Sequence, residues 1–348
     1  MPADTINYQH ILAAQSRIEA TVVDTPIVSS SRLNRWLSRE NLPSGQTHTI
    51  LFKAECLQRT GAFKLRGATN FIAKLAENKQ LPDSIVANSS GNHAQAVAFA
   101  ASQFGISATI YAANNISAVK AAATRDYGAQ LRVYPTRIEA DQAVADASRQ
   151  SGCIWIPPFN HTDIIAGQGT AVAETLQRVE AVDAVFTPCG GGGLTAGSLI
   201  ATRHLNPTAK VFGVEPLAAN DAAESLRAGE IKSLDGPAKT LADGAATPSV
   251  GALTFPFLQQ LDGFYEVNER AISYWTQWLQ HLLKLHIEPT CCMTMQAVAE
   301  WLAEQTSAKR IVVVLSGGNV SANTTQKIYS SDHLINPPSS HIVQELSL

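Results

Sequence analysis

The chain has 348 residues, of which 45% are hydrophobic and 16% are charged, and its formal net charge is −3. This is the composition of a soluble globular protein, long enough for about two domains or one large one. Because the chain has no excess of basic residues, we do not expect nucleic acid as a partner. Because no apolar stretch reaches the ~18 residues of a membrane span, we do not expect a membrane protein.

Five cysteines are scattered along the chain without any CxxC spacing. Their odd number and wide separation argue against a disulfide framework or a zinc site. The neighbours Cys291 and Cys292 are expected to pack as small hydrophobic residues. The first residues show no basic region followed by an apolar core, so we expect no secretory signal and a location in the reducing cytoplasm.

Short runs of β-forming residues alternate with helical patterns throughout the chain. We predict nine strands: Thr49–Phe52, Ser84–Ala87, Ala108–Tyr111, Leu131–Tyr134, Ile154–Ile156, Ala184–Thr187, Val211–Val214, Gly263–Val267 and Arg310–Leu315. Helices are predicted between most of them, for example at Ala62–Glu77, His93–Phe104, Ala118–Tyr127, Ala140–Gln150 and Gly167–Val179. This alternation predicts an α/β fold of βαβ units on mostly parallel sheets.

Lys64 lies where the first predicted strand gives way to a helix, within the run Thr-Gly-Ala-Phe-Lys-Leu-Arg at 60–66. Such junctions, outside the carboxyl ends of strands, are where α/β enzymes place reactive groups. The neighbouring Arg66 is expected to lower the pKa of the lysine amine. Lys64 is therefore a candidate Schiff-base nucleophile, although a lysine considered alone at a helix start is more often simply solvated.

Two later strand ends carry turns suited to anions. Ser-Ser-Gly-Asn-His at 89–93 offers hydroxyl, amide, imidazole and backbone N–H groups to a carboxylate, where helix capping would explain only one of these residues. Four glycines at 190–193 open a helix and expose N–H groups as an anion cradle. The loop lacks the Lys-Ser/Thr of a nucleotide P-loop and the GxGxxG spacing of a dinucleotide site. It therefore favours a small phosphate monoester, with a flexible turn as the alternative.

Together with Leu-Ser-Gly-Gly-Asn at 315–319, these motifs occur in the order found in a known family. From Thr25 to beyond Asn319 the chain resembles the fold-type-II pyridoxal-phosphate enzymes, specifically the serine/threonine dehydratase and serine racemase group. The resemblance implies a fold like that of the tryptophan synthase β chain, with two open, mostly parallel twisted sheets flanked by helices. It also implies pyridoxal 5′-phosphate as the cofactor.

The resemblance gives each motif a role. Lys64 would carry the cofactor and act as the α-proton base, Asn92 would bond the 3′-oxygen of the ring, and Ser316 would meet the pyridine nitrogen. The implied cofactor-binding residues are Phe63, Lys64, Asn92, Gly190, Gly191, Gly192, Gly193, Leu194 and Ser316. The implied substrate-binding residues are Ser89, Ser90, Asn92, His93 and Thr247. A hydroxyl at Ser316 makes the ring a weaker electron sink than a carboxylate would, which favours β-elimination.

The implied activity is that of an ammonia-lyase, which converts a 3-hydroxy L-amino acid to a 2-oxo acid and ammonia. Serine and threonine are the default substrates, and 3-hydroxyaspartate is the next, with Arg137 as a candidate for its second carboxylate or else a plain surface residue. In the racemase-like branch a serine at position 90 protonates the face opposite the lysine, so racemisation, with Ser90 as a second catalytic residue, stays open. His93 and the four glycines disfavour a β-replacement synthase, and the intact set of site residues disfavours a catalytically silent binding protein.

Further partners follow from the same resemblance. Glu215, Asp221 and the carbonyl of Ala219 would bind a divalent cation, for which Mg²⁺, Mn²⁺ and Ca²⁺ suit such oxygen ligands; an acidic helix start is the alternative. A homodimer is implied, with a large cofactor-binding domain of residues 1–83 and 161–348 and a small mobile domain of residues 84–160. ATP is a further expectation, since Gln95, Tyr127 and Asn160 match positions that bind it in serine racemase. Gln95 and Tyr127, however, are not specific to nucleotide binders.

Overall fold

A computed structural model describes residues 6–347 and arranges ten strands in two sheets. The strands are β1 (Ile27–Val28), β2 (Thr49–Ala54), β3 (Ser84–Asn88), β4 (Ser107–Ala113), β5 (Gln130–Tyr134), β6 (Cys153–Trp155), β7 (Ala184–Pro188), β8 (Lys210–Pro216), β9 (Gly263–Val267) and β10 (Arg310–Leu315). The larger sheet has the order β1-β2-β10-β7-β8-β9, and all its neighbours pair in parallel except β1 and β2. The smaller sheet has the order β5-β4-β3-β6 and is wholly parallel.

Helices connect the parallel strands and cover the sheets. They are α1 (Tyr8–Ile18), α2 (Ser31–Ser38), α3 (Lys64–Glu77), α4 (Asn92–Gln103), α5 (Ala118–Asp126), α6 (Arg137–Ala147), α7 (Thr162–Leu176), α8 (Gly193–Leu205), α9 (Asp221–Ala228), α10 (Phe255–Leu258), α11 (Glu269–Leu283), α12 (Pro289–Cys292), α13 (Thr294–Ala303), α14 (Ala322–Ile328) and α15 (Ser340–Ser347). Among the described residues, no helix is both long enough and apolar enough to cross a bilayer.

The predicted α/β class with two mostly parallel sheets is confirmed, and all nine predicted strands are present within one or two residues of their predicted ends. The strand that sequence patterns missed, β1, is only two residues long and lies antiparallel at the sheet edge. The four strands of the smaller sheet lie between residues 84 and 155. The division into a large domain and a small mobile one stays a prediction.

The largest hydrophobic core packs on the larger sheet, and a second core packs on the smaller sheet. Residues 311–315 of β10 are fully buried, as expected for a strand that is covered on both faces by helices. Cys291 and Cys292 are buried in the same core, so the prediction that they pack as hydrophobic residues is confirmed. All five cysteines are free thiols.

A buried ion network ties the first turn of α3 to β2 and α7. The Arg66 guanidinium donates to Glu55 with Nε–Oε2 at 2.7 Å and Nη2–Oε1 at 2.9 Å. It also donates to Glu174 with Nη1–Oε1 at 2.7 Å and Nη2–Oε2 at 2.8 Å. Lys53 Nζ reaches Glu174 Oε2 at 2.8 Å. Because both carboxylates are paired, the network holds the helix that begins with Lys64 in one position.

Candidate active site

The predicted motifs converge because three of them follow neighbouring parallel strands. In the larger sheet β2, β10 and β7 lie side by side. Their carboxyl ends therefore carry the Lys64 loop, the Ser316 turn and the glycine loop to the same edge of the sheet. The Ser-Ser-Gly-Asn-His turn comes from β3 of the smaller sheet and reaches this edge through α4.

The Lys64 loop is held directly against the Ser316 turn. Phe63 N donates to Ser316 O at 3.0 Å, and Gly318 N donates to Gly61 O at 2.9 Å. Gly61 has φ +70°, and a Cβ there would lie 2.5 Å from Asn319 Oδ1. Only glycine suits this position, because it tolerates the left-handed conformation and leaves room for the asparagine.

The Lys64 amine lies in a desolvated position. Its Nζ donates to Pro158 O at 2.7 Å and lies 5.2 Å from the centre of the Phe63 ring. Although the residue as a whole keeps some accessible surface, burial of the amine lowers its pKa to about 8. The predicted direction of this shift is confirmed, but the predicted cause is wrong: Arg66 is fully buried and paired with Glu55 and Glu174. A lysine whose pKa is lowered in this way is suited to nucleophilic and basic chemistry.

We expect the apoprotein to take up pyridoxal phosphate at Lys64 faster as the pH rises through about 8, the lowered pKa of this amine, because only the neutral amine attacks an aldehyde. Reductive trapping at a series of pH values, followed by peptide mapping, measures the rate at Lys64 itself. The denatured chain is the reference and should respond near the ordinary lysine pKa of about 10.4. If the rate at Lys64 rose around the same pH in the folded and the denatured chain, the amine would not be desolvated.

In the turn at 89–93, Asn92 makes the most contacts. Its Nδ2 donates to Glu288 Oε1 at 2.9 Å and Oε2 at 3.1 Å, and its Oδ1 accepts from Asn319 Nδ2 at 2.8 Å. The hydroxyl of Ser89 accepts from Gly91 N at 3.1 Å, which is the local capping role weighed as an alternative. Ser90 lies half-buried beside them. The substrate-binding roles of Ser89 and Ser90 stay predictions.

His93, one of the predicted substrate-binding residues, is deeply buried. The residue is 3% exposed, and Nε2 lies 2.9 Å from the Ile156 carbonyl oxygen, so this nitrogen carries the proton. Nδ1 has no partner among the described residues. Burial, reinforced by the charge of Lys64, lowers the imidazole pKa to about 3. A neutral ring whose free nitrogen only accepts is poorly suited to a carboxylate, which leaves backbone N–H groups as the better carboxylate donors in this turn.

The four glycines form a cradle in which Gly191 and Gly192 leave no room for a side chain. A Cβ at Gly191 would lie 2.3 Å from Phe159 Cδ1, and one at Gly192, where φ is +89°, would lie 2.8 Å from Thr254 Oγ1. Thr254 Oγ1 in turn donates to Gly191 O at 2.7 Å and orients that peptide. Gly192 caps α8, so the following N–H groups face outward at a helix N-terminus.

Three more predicted residues border this cradle. The side chain of Leu194 is buried in the core, so it has only its backbone N–H to offer a phosphate. A Cβ at Gly190 would lie 3.4 Å from Thr247 Cγ2, and Thr247 Oγ1 is buried without a partner among the described residues. Ser316 is 3% exposed at the end of β10. All of these positions lie at the edge where the sequence placed the site.

We expect Gly191→Ala to lower the free energy of unfolding by about 1–3 kcal/mol, because the added methyl group overpacks against Phe159. The matched control is Gly236→Ala, where a Cβ would meet no atom within 4 Å and the effect should stay within about 0.5 kcal/mol. Urea unfolding of both variants makes the comparison. Equal stability of the two variants would mean that the cradle has room for a side chain.

Glu215 and Asp221 form a buried acidic pair at the carboxyl end of β8, next to the glycine loop. Glu215 accepts from Ala222 N at 3.2 Å and Ala223 N at 2.7 Å, while neither carboxylate oxygen of Asp221 has a partner among the described residues. Burial raises the pKa of Glu215 to about 9 and that of Asp221 to about 7. Within residues 6–347 no group of three or more His, Cys, Asp or Glu side chains is arranged to hold a metal ion. A cation here would therefore also need carbonyl and water ligands.

Two of the three residues matched to an ATP site make hydrogen bonds within the protein, and the third is buried. Tyr127 OH donates to Arg59 O at 3.2 Å, and Asn160 Oδ1 accepts from Leu253 N at 2.8 Å. Gln95 is buried, and its Nε2 has no partner within the described part of the chain. Nucleotide binding stays a prediction.

The predicted site residues did not include Glu288, Pro158 or Phe159, although the run that begins with Glu288 was expected near the cofactor. Pro158 and Phe159 follow β6, and the Pro-Pro pair at 157–158 was their only available signal. No role was assigned to the Glu288 side chain itself, since a single glutamate before a proline is typical of many helix starts.

Comparisons with known proteins agree with this geometry. Residues 18–317 match the family model described as "Pyridoxal-phosphate dependent enzyme". The chain is 40% identical over 315 residues to an L-threo-3-hydroxyaspartate ammonia-lyase of Saccharomyces cerevisiae, covering 90% of this chain and 93% of that one. It is 37% identical over 315 residues to a serine racemase of Schizosaccharomyces pombe, covering 90% and 94%. The solved structure of a threonine deaminase from T.th. superposes with a TM-score of 0.82 at 38% identity, covering 90% and 98%. The chain therefore belongs to the family of pyridoxal-phosphate dependent enzymes.

Proposed function

We propose that this protein is an ammonia-lyase that converts a 3-hydroxy L-amino acid to a 2-oxo acid and ammonia by α,β-elimination. The observation that carries the proposal is the desolvated Lys64 amine, placed at one sheet edge with the glycine cradle, Asn92 and Ser316. The relatives named for hydroxyaspartate ammonia-lyase and threonine deaminase support this class of reaction.

The residues at this edge fit pyridoxal phosphate. The cofactor supplies an aldehyde that links to amines and a ring that accepts electrons. Gly190–Gly193 and the N–H of Leu194 would hold its phosphate, Phe63 would contact the ring, Asn92 would meet the 3′-oxygen and Ser316 the pyridine nitrogen. The cradle has no room for a side chain at Gly191 or Gly192, and burial lowers the pKa of the Lys64 amine to about 8, which are two properties that suit such a ligand.

The chain's own groups then account for the proton transfers. Lys64, in its neutral form, would take the α-proton of the substrate as general base. Ser316 offers a hydroxyl rather than a carboxylate, which disfavours transamination and leaves loss of the β-hydroxyl as the preferred outcome. The segment of residues 84–160 carries the Ser89–His93 turn, and its closure onto the larger sheet would exclude water.

Arg137 is our candidate for the residue that selects between these substrates, with a plain surface ion pair as the alternative. It lies half-exposed on α6 and pairs with Asp141, with Nε at 2.8 Å from Oδ1, and Asp141 Oδ1 also accepts from Asn88 Nδ2 at 2.6 Å. Asn88 directly precedes the Ser89–His93 turn, so this chain of hydrogen bonds links Arg137 to that turn through Asp141. A guanidinium there suits the second carboxylate of 3-hydroxyaspartate.

The test is 2-oxo acid release from L-serine, L-threonine and L-threo-3-hydroxyaspartate. We expect release from at least one of them, and we expect Arg137→Ala to weaken turnover of 3-hydroxyaspartate while leaving the two monocarboxylates unchanged. If cofactor-loaded protein released no 2-oxo acid from any of the three, the elimination would be refuted.

Serine racemisation is the second candidate, favoured by Ser90 and by the similarity to serine racemases. A hydroxyl at this position can return a proton to the face opposite Lys64. Chiral analysis of the remaining L-serine measures this activity. Ser90→Ala should abolish D-serine formation and spare elimination; D-serine formation that is undiminished by this change would exclude Ser90 as the second base.

We further propose a divalent cation at Glu215, Asp221 and the carbonyl of Ala219. Two buried carboxylates with raised pKa values favour a bound cation, as do the Asp221 oxygens that lack partners among the described residues. A chelator should lower the thermal unfolding midpoint, and Mg²⁺, Mn²⁺ or Ca²⁺ should restore it, because a ligand of the native state alone stabilises that state. Glu215→Gln should show no such response. A cytoplasmic homodimer completes the proposal, and sedimentation of the purified protein measures its oligomeric state.

A further inference from the structure

Glu288 is a buried carboxylate without a part in the chemistry described above. It lies immediately before α12, is 2% exposed, and its backbone N donates to Gly317 O at 2.9 Å in the turn after β10. A Cβ at Gly317 would lie 2.9 Å from Glu288 Oε2. The glycine of the Ser316 turn is therefore what lets this carboxylate approach the site.

The hydrogen bonds around Glu288 determine which way the Asn92 amide points. The Thr60 carbonyl can only accept, so the group of Asn319 that lies 2.8 Å from it must be the nitrogen, Nδ2. The same Nδ2 also donates to the side-chain amide of Asn92 at 2.8 Å. The Asn92 atom that accepts this hydrogen bond must be the oxygen, Oδ1. The nitrogen of Asn92 consequently faces Glu288 at 2.9 and 3.1 Å, and Glu288 Oε1 also accepts from Asn319 N at 2.9 Å.

This arrangement leaves Asn92 a single free hydrogen. Its oxygen is occupied by Asn319, and one of its two amide hydrogens is shared by the oxygens of Glu288. We propose that Glu288, together with Asn319, is a positioning residue that fixes the Asn92 amide so that its remaining N–H points to the 3′-oxygen of the cofactor ring. This inference rests on the proposed function, which places the ring beside Asn92.

The contact also joins the two parts of the fold. Asn92 belongs to the segment of the smaller sheet, whereas Glu288 and Asn319 follow elements of the larger one. Burial raises the pKa of Glu288, and the cation of Lys120 on α5, which is paired with Asp243 at 2.7 Å, opposes this rise. Since Asn92 and Lys120 both come from residues 84–160, movement of that segment would alter the orientation of the amide.

The test is a double-mutant cycle on the absorption spectrum of the cofactor-loaded enzyme, which reports the surroundings of the 3′-oxygen. Glu288→Leu replaces the carboxylate that accepts from Asn92 Nδ2 by an apolar side chain of similar size. Asn319→Ala removes the donor to Asn92 Oδ1. We expect each to shift the near-visible maximum and to speed loss of the cofactor during dialysis about tenfold, the equivalent of one charge-assisted hydrogen bond. In the Asn92→Ala background, Glu288→Leu should add no further shift, because it acts only through that amide.

Glu304→Gln, which removes an exposed glutamate at the end of α13, is the matched control and should leave the spectrum unchanged. An equal shift from Glu288→Leu with and without Asn92 would overturn the proposal, as would an unchanged spectrum in both Glu288→Leu and Asn319→Ala. If Glu288→Leu does not fold, Asn319→Ala carries the same cycle. The spectrum is read without substrate, so absence of 2-oxo acid release would refute the elimination and leave this inference standing.

Discussion

Replacing Lys64 by alanine is expected to abolish the near-visible absorbance of the bound cofactor and to lower 2-oxo acid release by about 10²–10⁴-fold or more. The amine is both the point of covalent attachment and the group that takes the α-proton. The nearby lysines Lys53 and Lys120 cannot easily substitute for it, because Lys53 is paired with Glu174 and Lys120 with Asp243, at 2.8 and 2.7 Å. Absorbance spectra of the purified variant and the 2-oxo acid assay measure the two effects separately.

The control is Lys74→Ala, which removes another lysine of α3 that is one-third exposed and paired with Asp163. A pair of this kind contributes about 0–1 kcal/mol to stability, so absorbance and turnover should stay near those of the parent protein. If both survive in Lys64→Ala, the assignment of this lysine is wrong. If both are lost in Lys74→Ala as well, the loss reflects damage to the helix.

Replacing Arg66 by leucine is expected to lower the free energy of unfolding by about 3–5 kcal/mol. The guanidinium neutralises Glu55 and Glu174, neither of which is accessible to water to any large extent. Without it, two carboxylates stay buried, and their remaining side-chain hydrogen-bond donors among the described residues are Thr25 at Glu55 and Lys53 at Glu174. Urea unfolding of the variant measures the loss, and the helix that begins with Lys64 should lose order with it.

Arg227→Leu is the matched control, since its guanidinium also bridges two glutamates, Glu224 and Glu266, but is half-exposed. Solvent-exposed pairs contribute about 0–1 kcal/mol. An Arg66 variant no less stable than the Arg227 variant would contradict the view that burial gives this network its strength.

Local patterns were sufficient to predict most of the secondary structure. β10 was predictable because an unbroken apolar run is typical of a strand buried on both faces. The start of α8 was predictable because four glycines separate a clear strand from a clear helix. β1 was not predictable, because two residues give no periodicity and the strand exists only through its pairing with β2.

Side-chain directions were the part that local patterns could not supply. Arg66 stands two residues from Lys64, yet its side chain turns into the core toward Glu174, 108 residues away along the chain. The pKa of Lys64 is consequently lowered by burial and not by its neighbour. The substrate-binding role of His93 stays a prediction, and its contact with the carbonyl of Ile156, 63 residues away along the chain, was not predictable from local patterns.

The sequence alone determined the family, the α/β class, the cofactor and the order of the reactive strand ends, because glycine-rich and polar turns at strand termini are local features. The tertiary structure decided which of these ends meet. Strand order β2-β10-β7 places residues that are more than 250 positions apart on one sheet edge, since parallel pairing aligns carboxyl ends whatever their distance along the chain. It also decided that Glu288 and Asn319 hold Asn92, because a buried hydrogen-bond network is defined by distances between atoms, which no spacing along a chain encodes.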